Sequence, residues 1–341
     1  MNLKELSQII GLSQTTVSRA LNGYPEVSEA TRQRVADLAK AHNYRPNARA
    51  KGLATGRAHA IGHVIPFSHS HEIVNPVFGD FISGVGEIYA REGYDLMMSV
   101  VSTEDELATY RNLSARSSVD GVVIHAPLID EPRIALMQKI GLPFVVHGRA
   151  SNEMTPYAWL DVNNNSAFKR ATEFLLDLGH SRIALVNGLE NMDFAYRRRE
   201  GYLTALKERS VTADPALMRS AEMTEVYGYQ TAKDMLQSET PPTAFLTASM
   251  ISAIGVRRAI EELGLRMGQD VSVITHDDDL GYLKNGQDVP IFTACRSSVR
   301  TAGIKLAELL LRQIENPNAP PETELLEVEL IAGRSTGPVK G

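Results

Sequence analysis

Short helical patterns open the chain. Asn2 is placed to cap a helix, Glu5 three residues on can return to its backbone, and Leu3, Leu6, Ile9 and Ile10 then share one face. Gly11 ends that helix, and Ser13 caps a second that runs to about Asn22. Two helices joined by so few residues predict a helix-turn-helix. At about 100° per residue, Val17, Ala20 and Leu21 fall on one side of the second helix, and Gln14, Thr15, Ser18, Arg19 and Asn22 on the other. The polar side carries amides, hydroxyls and one guanidinium, the groups that read base edges, in place of the Glu/Lys mixture of a solvated face. A third helix is expected from Ser28, with Val35, Leu38 and Ala39 inward and Lys40 and His42 near its carboxyl end. Pro46 stops any helix behind it, and Asn47 can cap a short one ahead. That segment has only Ala48, Ala50, Leu53 and Ala54 as apolar groups and holds Gly52 inside, so it orders only when something supports it.

From Ala60 the period changes. Apolar strands are expected at Ala60 to Ile65, Asp95 to Val101, Gly121 to His125, Phe144 to His147, Ile183 to Asn187, Ala244 to Thr247 and Val271 to Thr275. Helical stretches separate them, as at Val77 to Arg91, where Phe78, Phe81, Ile82, Val85, Ile88 and Tyr89 form a stripe. Continuous apolar strands alternating with helices predict an α/β fold with parallel sheets covered on both faces. Four strands before residue 150 and three more before residue 280 exceed one sheet, so two lobes are expected.

Ligands of such sheets bind beyond the carboxyl ends of the strands, and two facing lobes form a cleft there. The candidates are Phe67-Ser68, Ser102, His125-Ala126, His147-Gly148-Arg149, Asn187-Gly188, Ala248-Ser249 and His276-Asp277-Asp278, with Phe78, Phe194 and Tyr196 as nearby rings. Planar rings with Arg and Asp groups suit a polyhydroxylated ligand better than a phosphate, which needs clustered cations or a glycine cradle. The one glycine-rich string, Gly84-Val85-Gly86, falls inside a helical stripe and reads as packing.

Charge adds a division of labour. The 341 residues carry 35 basic and 41 acidic side chains, a net of -6. The first 57 hold nine basic and four acidic, a head of +5, which leaves 26 basic against 37 acidic behind it. Such asymmetry points to a nucleic-acid-facing module joined to an acidic body. No run of about 18 apolar residues suggests a membrane span, the amino terminus has no secretory pattern, and the single Cys295 excludes an internal disulfide framework, so a cytoplasmic chain is expected. His69-Ser70-His71 has a spacing seen in metal sites but no partner beyond Glu72, so no metal is expected, and no cofactor. A phosphate-binding loop, a Gly-x-Ser-x-Gly elbow and a zinc helix motif are all missing, which argues against an enzyme. A sugar-binding transport receptor stands as a rival, opposed by the basic head.

The motifs Leu12-Ser13-Gln14-Thr15-Thr16-Val17-Ser18-Arg19-Ala20-Leu21-Asn22, Val27-Ser28, Thr31-Arg32 and Asn43-Tyr44-Arg45-Pro46-Asn47-Ala48-Arg49 resemble the DNA-binding head of the LacI family of bacterial transcriptional regulators. Asn75-Pro76-Val77-Phe78, Asp120-Gly121-Val122-Val123, Leu178-Gly179-His180-Ser181-Arg182-Ile183-Ala184, Arg198 to Tyr202, Val271-Ser272-Val273-Ile274 and Arg334-Ser335-Thr336-Gly337-Pro338 resemble its sugar-binding effector domain, which is similar to periplasmic sugar-binding proteins. The resemblance implies a helix-turn-helix domain at 1–45, a hinge helix and linker at 46–58, and an effector and dimerisation domain at 59–341, with lobes near 60–158 plus 292–321 and 159–291 plus 322–341. It implies that Gln14, Thr15 and Arg19 enter the major groove of a pseudopalindromic double-stranded operator, that Leu53 is an apolar wedge in the minor groove, and that Ser13, Ser18, Asn22, Tyr44, Asn47 and Arg49 complete the DNA contacts. Arg198 and Asp277 stand at the family's effector-contacting Arg and Asp, and Phe78 at a cleft-lining position, with His147, Arg149, Phe194, Tyr196, Met223 and Ser249 as further candidates. Two departures matter. Ser249-Met250 replaces a common Asn-Asp pair, and Met223 stands where an aromatic often stacks, leaving Phe194 or Tyr196 to do so. The expected protein is a homodimeric bacterial repressor, associated with the nucleoid and paired through the apolar face of Val299 to Ile314, with no heptad tail for a tetramer. Its expected effector is a sugar, and the His147-Gly148-Arg149 strand end and neutral cleft resemble relatives that respond to alpha-glucosides or other disaccharides. An activator or corepressor-type regulator answering a non-sugar metabolite is the alternative.

Overall fold

The computed structural model describes residues 1–44, 56–66, 75–276 and 279–340. It forms two compact units, Met1–His59 and Ala60–Gly341. In the first, α1 (Leu3–Ile10), α2 (Gln14–Leu21) and α3 (Glu29–Ala41) start where side-chain oxygens satisfy orphan amides. Asn2 accepts from the Glu5 amide and the Glu5 carboxylate accepts from the Asn2 amide, both at 3.0 Å. Ser13 accepts from the Thr16 amide at 3.1 Å and Ser28 from the Thr31 amide at 3.4 Å. Gly11 closes α1 at φ 74°, a left-handed turn. Leu6, Ile10, Val17, Ala20, Val27, Val35 and Ala39 form the core, with Leu38 and Tyr44 partly buried against it. Ile9, expected on the inner face, is 48% exposed, because a step of about 100° from Ile10 carries it off the buried stripe of so short a helix.

The second unit contains, in chain order, β1 (Ala60–Pro66), α4 (Pro76–Glu92), β2 (Asp95–Val101), α5 (Glu106–Ala115), β3 (Gly121–His125), α6 (Pro132–Ile140), β4 (Phe144–His147), β5 (Trp159–Val162), α7 (Asn164–Asp177), β6 (Ile183–Asn187), α8 (Asp193–Glu208), β7 (Met218–Ser220), α9 (Glu225–Leu236), β8 (Ala244–Thr247), α10 (Met250–Glu262), β9 (Ser272–His276), β10 (Thr293–Arg296), α11 (Val299–Glu315), β11 (Thr323–Leu326) and β12 (Glu329–Ile331). Two six-stranded sheets result, in the orders β11-β5-β4-β3-β1-β2 and β12-β10-β9-β8-β6-β7. Their pairs are parallel except β10 with β12. In the first lobe α4 and α11 pack with the sheet around Ile61, Phe81, Val123 and Leu310. In the second, α7 and α8 meet one face around Phe168, Leu185 and Tyr202, while α9 and α10 meet the other around Phe245, Val256 and Ile260.

Each expected strand forms, β9 one residue later than its pattern suggested. The lobe boundaries differ from expectation: Trp159–Val162 and Thr323–Leu326 join the first sheet, and Thr293–Arg296 joins the second. The chain therefore crosses between lobes after β5, after β10 and after β11. These strands span only four residues and mix polar with apolar positions, so no period announces them. The apolar face of Val299 to Ile314 is also reassigned, from a pairing surface to the inside of the first lobe, where Val299, Ala302, Leu306, Leu310 and Ile314 are buried. Gly84 and Gly303 allow α4 and α11 their close approach, since a methyl at either would run into the carbonyl of Arg300 or Phe81. A methyl at Gly86 would meet nothing within 4 Å outside its own helix backbone. Among the described residues no helix is long and apolar enough to cross a membrane, and no His/Cys/Asp/Glu group could hold a metal ion. His69 and His71 lie outside the described residues.

Candidate functional site

The sheets bring their strand ends together around a cavity of about 200 Å³. A second hollow of about 130 Å³ shares Asn75, Ala126, Phe194 and Met223 with it, so the two form one elongated cleft. A larger hollow, about 420 Å³, lies beside Arg312 and Glu322 at the end of α11. Those two groups bind each other at 2.8 Å across an open surface, and the hollow is set apart from the strand ends. The elongated cleft is the better site because buried polar groups converge on it.

Its centre is Arg198, 5% exposed. The guanidinium donates from Nε to Asn164 Oδ1 at 2.7 Å and from Nη1 to the Ala248 carbonyl at 2.7 Å, and Nη2 meets His276 Nδ1 at 3.1 Å. It also stands over the rings of Phe194 and Phe168, 4.9 and 5.2 Å from their centroids. Helical spacing explains the company: Phe194 and Arg198 are four apart on α8 and share a face, whereas Tyr196 is not among the residues lining the cleft. Asn164, at the crossover from β5, donates in turn to Asp161 Oδ1 at 3.3 Å and to the Val162 carbonyl at 3.0 Å.

Arg149 takes a different place from the one its position suggested. It donates from Nε to Asp161 at 2.7 Å, lies over the Trp159 ring at 4.9 Å, and does not line the cleft. Asp161 lies between it and the cavity, and burial raises this carboxyl above its ordinary range against the opposing pull of Arg149. Met223 and Ser249 both line the cleft. Ser249 is the N-cap of α10 and accepts from the Ser252 amide at 3.2 Å. Asp277 lies outside the described residues.

The wall from the first lobe is aromatic. Phe78 is 8% exposed and meets the ring of His125 edge-on at 5.5 Å, while His147 stacks on Phe81 at 4.2 Å. His125 Nε2 bonds His63 Nδ1 at 2.9 Å. Burial pushes His63 down to about 3, helped by the nearby His147, and holds His125 well below the ordinary imidazole range, so both rings are neutral. Ala126 follows at φ 42°, a left-handed conformation strained for alanine. Arg133 donates to its carbonyl at 3.4 Å and is held by Glu131 and Glu106 at 2.7 and 2.8 Å.

In the head, Gln14, Thr15 and Arg19 are exposed along one side of α2, and Ser18 and Asn22 are half-buried beside them, with Asn22 donating to the Ser18 carbonyl at 2.9 Å. Ser13 serves as the cap of that helix. Tyr44 packs on the head core, where burial raises its phenol. Asn47, Arg49 and Leu53 lie outside the described residues.

Sequence reasoning singled out neither His63 nor the pair Asp161 and Asn164. A histidine inside the apolar run Ala60 to Ile65 was the available signal for the first; the others depend on a crossover that no period reveals.

Residues 2–47 match the family described as bacterial regulatory proteins, lacI family, and residues 172–336 match the periplasmic binding protein-like domain. The chain is 43% identical over 339 residues to the HTH-type transcriptional regulator AglR of Rhizobium meliloti, covering 99% of this chain and 95% of that one. It is 34% identical over 278 residues to the HTH-type transcriptional regulator RafR of Escherichia coli, covering 81% and 82%. Among solved structures, the lac repressor dimer bound to operator and an anti-inducer is similar with a TM-score of 0.85 at 26% identity, over 99% of each chain. The transcriptional regulator CelR in complex with cellobiose is similar with a TM-score of 0.73 at 25% identity, over 98% and 99%.

Proposed function

The chain belongs to the lacI family of bacterial regulatory proteins and is a DNA-binding transcriptional regulator, and from that premise we propose that it is a repressor of carbohydrate uptake or catabolism genes whose operator affinity is set by a sugar held between its lobes. The convergence of Arg198, Phe194 and neutral polar groups on the cleft carries the effector part. A guanidinium can bind paired hydroxyls while a ring face covers the apolar side of a pyranose, and no cation cluster or glycine cradle lines the described cleft for a phosphate. The elongated shape supports a disaccharide, including an alpha-glucoside, and the complex of CelR with cellobiose supports the same class. Phe78, His147, Phe194, Arg198, Met223 and Ser249 are the contacts in this reading, with Asp277 joining them; Arg149 acts through Asp161.

Gln14, Thr15 and Arg19 read base edges, Ser13, Ser18, Asn22, Tyr44, Asn47 and Arg49 fix register, and Leu53 is the wedge at the operator centre. One head offers few base contacts, so two copies read a pseudopalindrome in the bacterial cytoplasm, a reading supported by the similar lac repressor being bound to its operator as a dimer. The edge strand β2, where Met97, Met98 and Val100 are exposed, supports pairing there in place of the buried α11 face.

The test is a gel shift on DNA selected by the protein from a random pool, with and without each sugar that raises its melting temperature. A sugar that loosens the complex about 5- to 150-fold is expected, matching a coupling of roughly 1 to 3 kcal/mol. Tighter DNA binding with ligand, or a response confined to non-sugar metabolites, would replace the sugar-induced repressor by a corepressor-type regulator.

A further inference from the structure

Beneath the cleft runs a buried polar chain that the contacts named above leave unused. Tyr89 on α4, His63 in β1 and His125 at the end of β3 are 1%, 0% and 4% exposed. The Tyr89 hydroxyl meets His63 Nε2 at 3.3 Å, and His63 Nδ1 meets His125 Nε2 at 2.9 Å. The last nitrogen, His125 Nδ1, is buried with no hydrogen-bond partner among the described residues, on a ring that lines the cavity. A buried polar atom without a partner costs about 1 to 3 kcal/mol, and such atoms are rare in folded proteins unless a ligand or water completes them.

Three protons serve two hydrogen bonds, so one donor is left over in either order, and the forward order is the one that leaves no second polar atom unmet among the described residues. The Tyr89 hydroxyl has His63 Nε2 as its acceptor, so His63, being neutral, carries its proton on Nδ1. That proton is donated to His125 Nε2, so neutral His125 in turn carries its proton on Nδ1. Reversing the chain would set both protons on Nε2 and leave two groups unmet among the described residues, the buried Tyr89 hydroxyl proton and the His125 Nδ1 lone pair, against one in the forward order.

We propose that His125 is a specificity-determining residue that donates its Nδ1 proton to an oxygen of the bound ligand, and that Tyr89 and His63 are positioning residues which lock it in that tautomer. This rests on the reading of the cleft as a sugar site and deepens it. The first-lobe wall then selects a ligand with an acceptor oxygen, whether hydroxyl, ring or glycosidic, where His125 reaches it. Phe78 and Phe81, edge-on to the imidazole at 5.5 and 5.4 Å, hold its plane. Protonation of either ring would break the order, because an imidazolium has no acceptor nitrogen to receive the bond from its neighbour.

The experiment uses the full chain with nitrogen-15 histidine, with resonances assigned through His63→Leu and His125→Asn, and a panel of maltose, cellobiose, sucrose and methyl α-glucoside. In the free protein both histidines are expected to be neutral with the proton on Nδ1. A panel sugar that raises the melting temperature is expected to move the His125 Nδ1 resonance at saturation. Tyr89→Phe is expected to populate the Nε2-protonated tautomer of His125 and to weaken that sugar about 3- to 10-fold; a merely structural tyrosine would lower the melting temperature and leave the tautomer alone. A proton on Nε2 of His125 in the free wild type, or an unmoved Nδ1 resonance with a sugar that binds, overturns this inference and spares the sugar reading. A panel in which no sugar stabilises the wild type overturns both.

Discussion

Arg198→Ala is expected to separate ligand sensing from DNA binding. The truncation withdraws donors from Asn164 Oδ1, the Ala248 carbonyl and His276 Nδ1, which the guanidinium serves at 2.7, 2.7 and 3.1 Å. An abandoned buried acceptor costs about 1 to 3 kcal/mol, while loss of a desolvated cation and entry of water return part of it, so a net of roughly 2 to 4 kcal/mol is expected. For a chain of this size that lowers the melting temperature on the order of 3 to 6 °C without unfolding it at 25 °C. The effect on the ligand is larger in functional terms. Hydrogen bonds to a charged group contribute about 1.5 to 3 kcal/mol each, so a two-point contact to sugar hydroxyls is worth roughly 3 to 6 kcal/mol, a factor on the order of 10² to 10⁴ in affinity. The head has its own core of Leu6, Val17 and Val35, so sugar-free operator affinity is expected to stay within about twofold. Calorimetry reads the first quantity and gel shifts with and without sugar read the second. Release of operator by the variant at the wild-type sugar concentration would refute the assignment, and loss of DNA binding without sugar would place Arg198 in general stability instead.

Three further outcomes are expected. The His63 imidazole is held at about 3 in the folded chain against an ordinary 6.5, so below pH 6.5 the unfolded chain binds a proton that the folded one refuses, and stability is lost as pH falls from about 6.5 toward 3. Between pH 7 and pH 5 that amounts to about 2 kcal/mol; urea unfolding of His63→Leu is expected to lack this part of the acid sensitivity, and equal slopes in both proteins would contradict it. Gly255→Ala sets a methyl against the Glu225 carbonyl and the Tyr229 amide where α9 meets α10, so it is expected to cost about 1 to 3 kcal/mol or more, whereas Gly86→Ala, with open space, is expected to leave the melting temperature within a degree or two. Leu53→Ala is expected to reduce both operator affinity and DNA bending; unchanged mobility of a bent-DNA complex would remove Leu53 as the wedge.

The cleft shows where pattern and tertiary structure divide. Arg198 came from the family resemblance and Phe194 from its place among the rings near the strand ends, and both line the cleft. Tyr196 was misplaced by two residues' worth of helical rotation, and Arg149 by a neighbour, Asp161, that claims its guanidinium first. The α11 face shows a similar limit. Its periodicity states that one side is buried but not whether the cover is another chain or its own lobe, and here Ile61, Phe81 and Val123 supply the cover.

What the sequence determined by itself was everything encoded within about a dozen consecutive residues. That includes the caps at Asn2, Ser13 and Ser28, the polar side of α2, the long apolar strands and the charge division between head and body. Tertiary structure decided the rest. It set which sheet β5, β10, β11 and β12 join, how Asp161, Asn164, Arg198 and His276 meet across a crossover, and how three buried rings 26 and 62 residues apart form one hydrogen-bonded chain. The physical reason is the range of the forces: caps and helical faces arise from hydrogen bonds and periodicities between near neighbours, whereas a short strand or a buried histidine gains its role only from partners that folding brings to it.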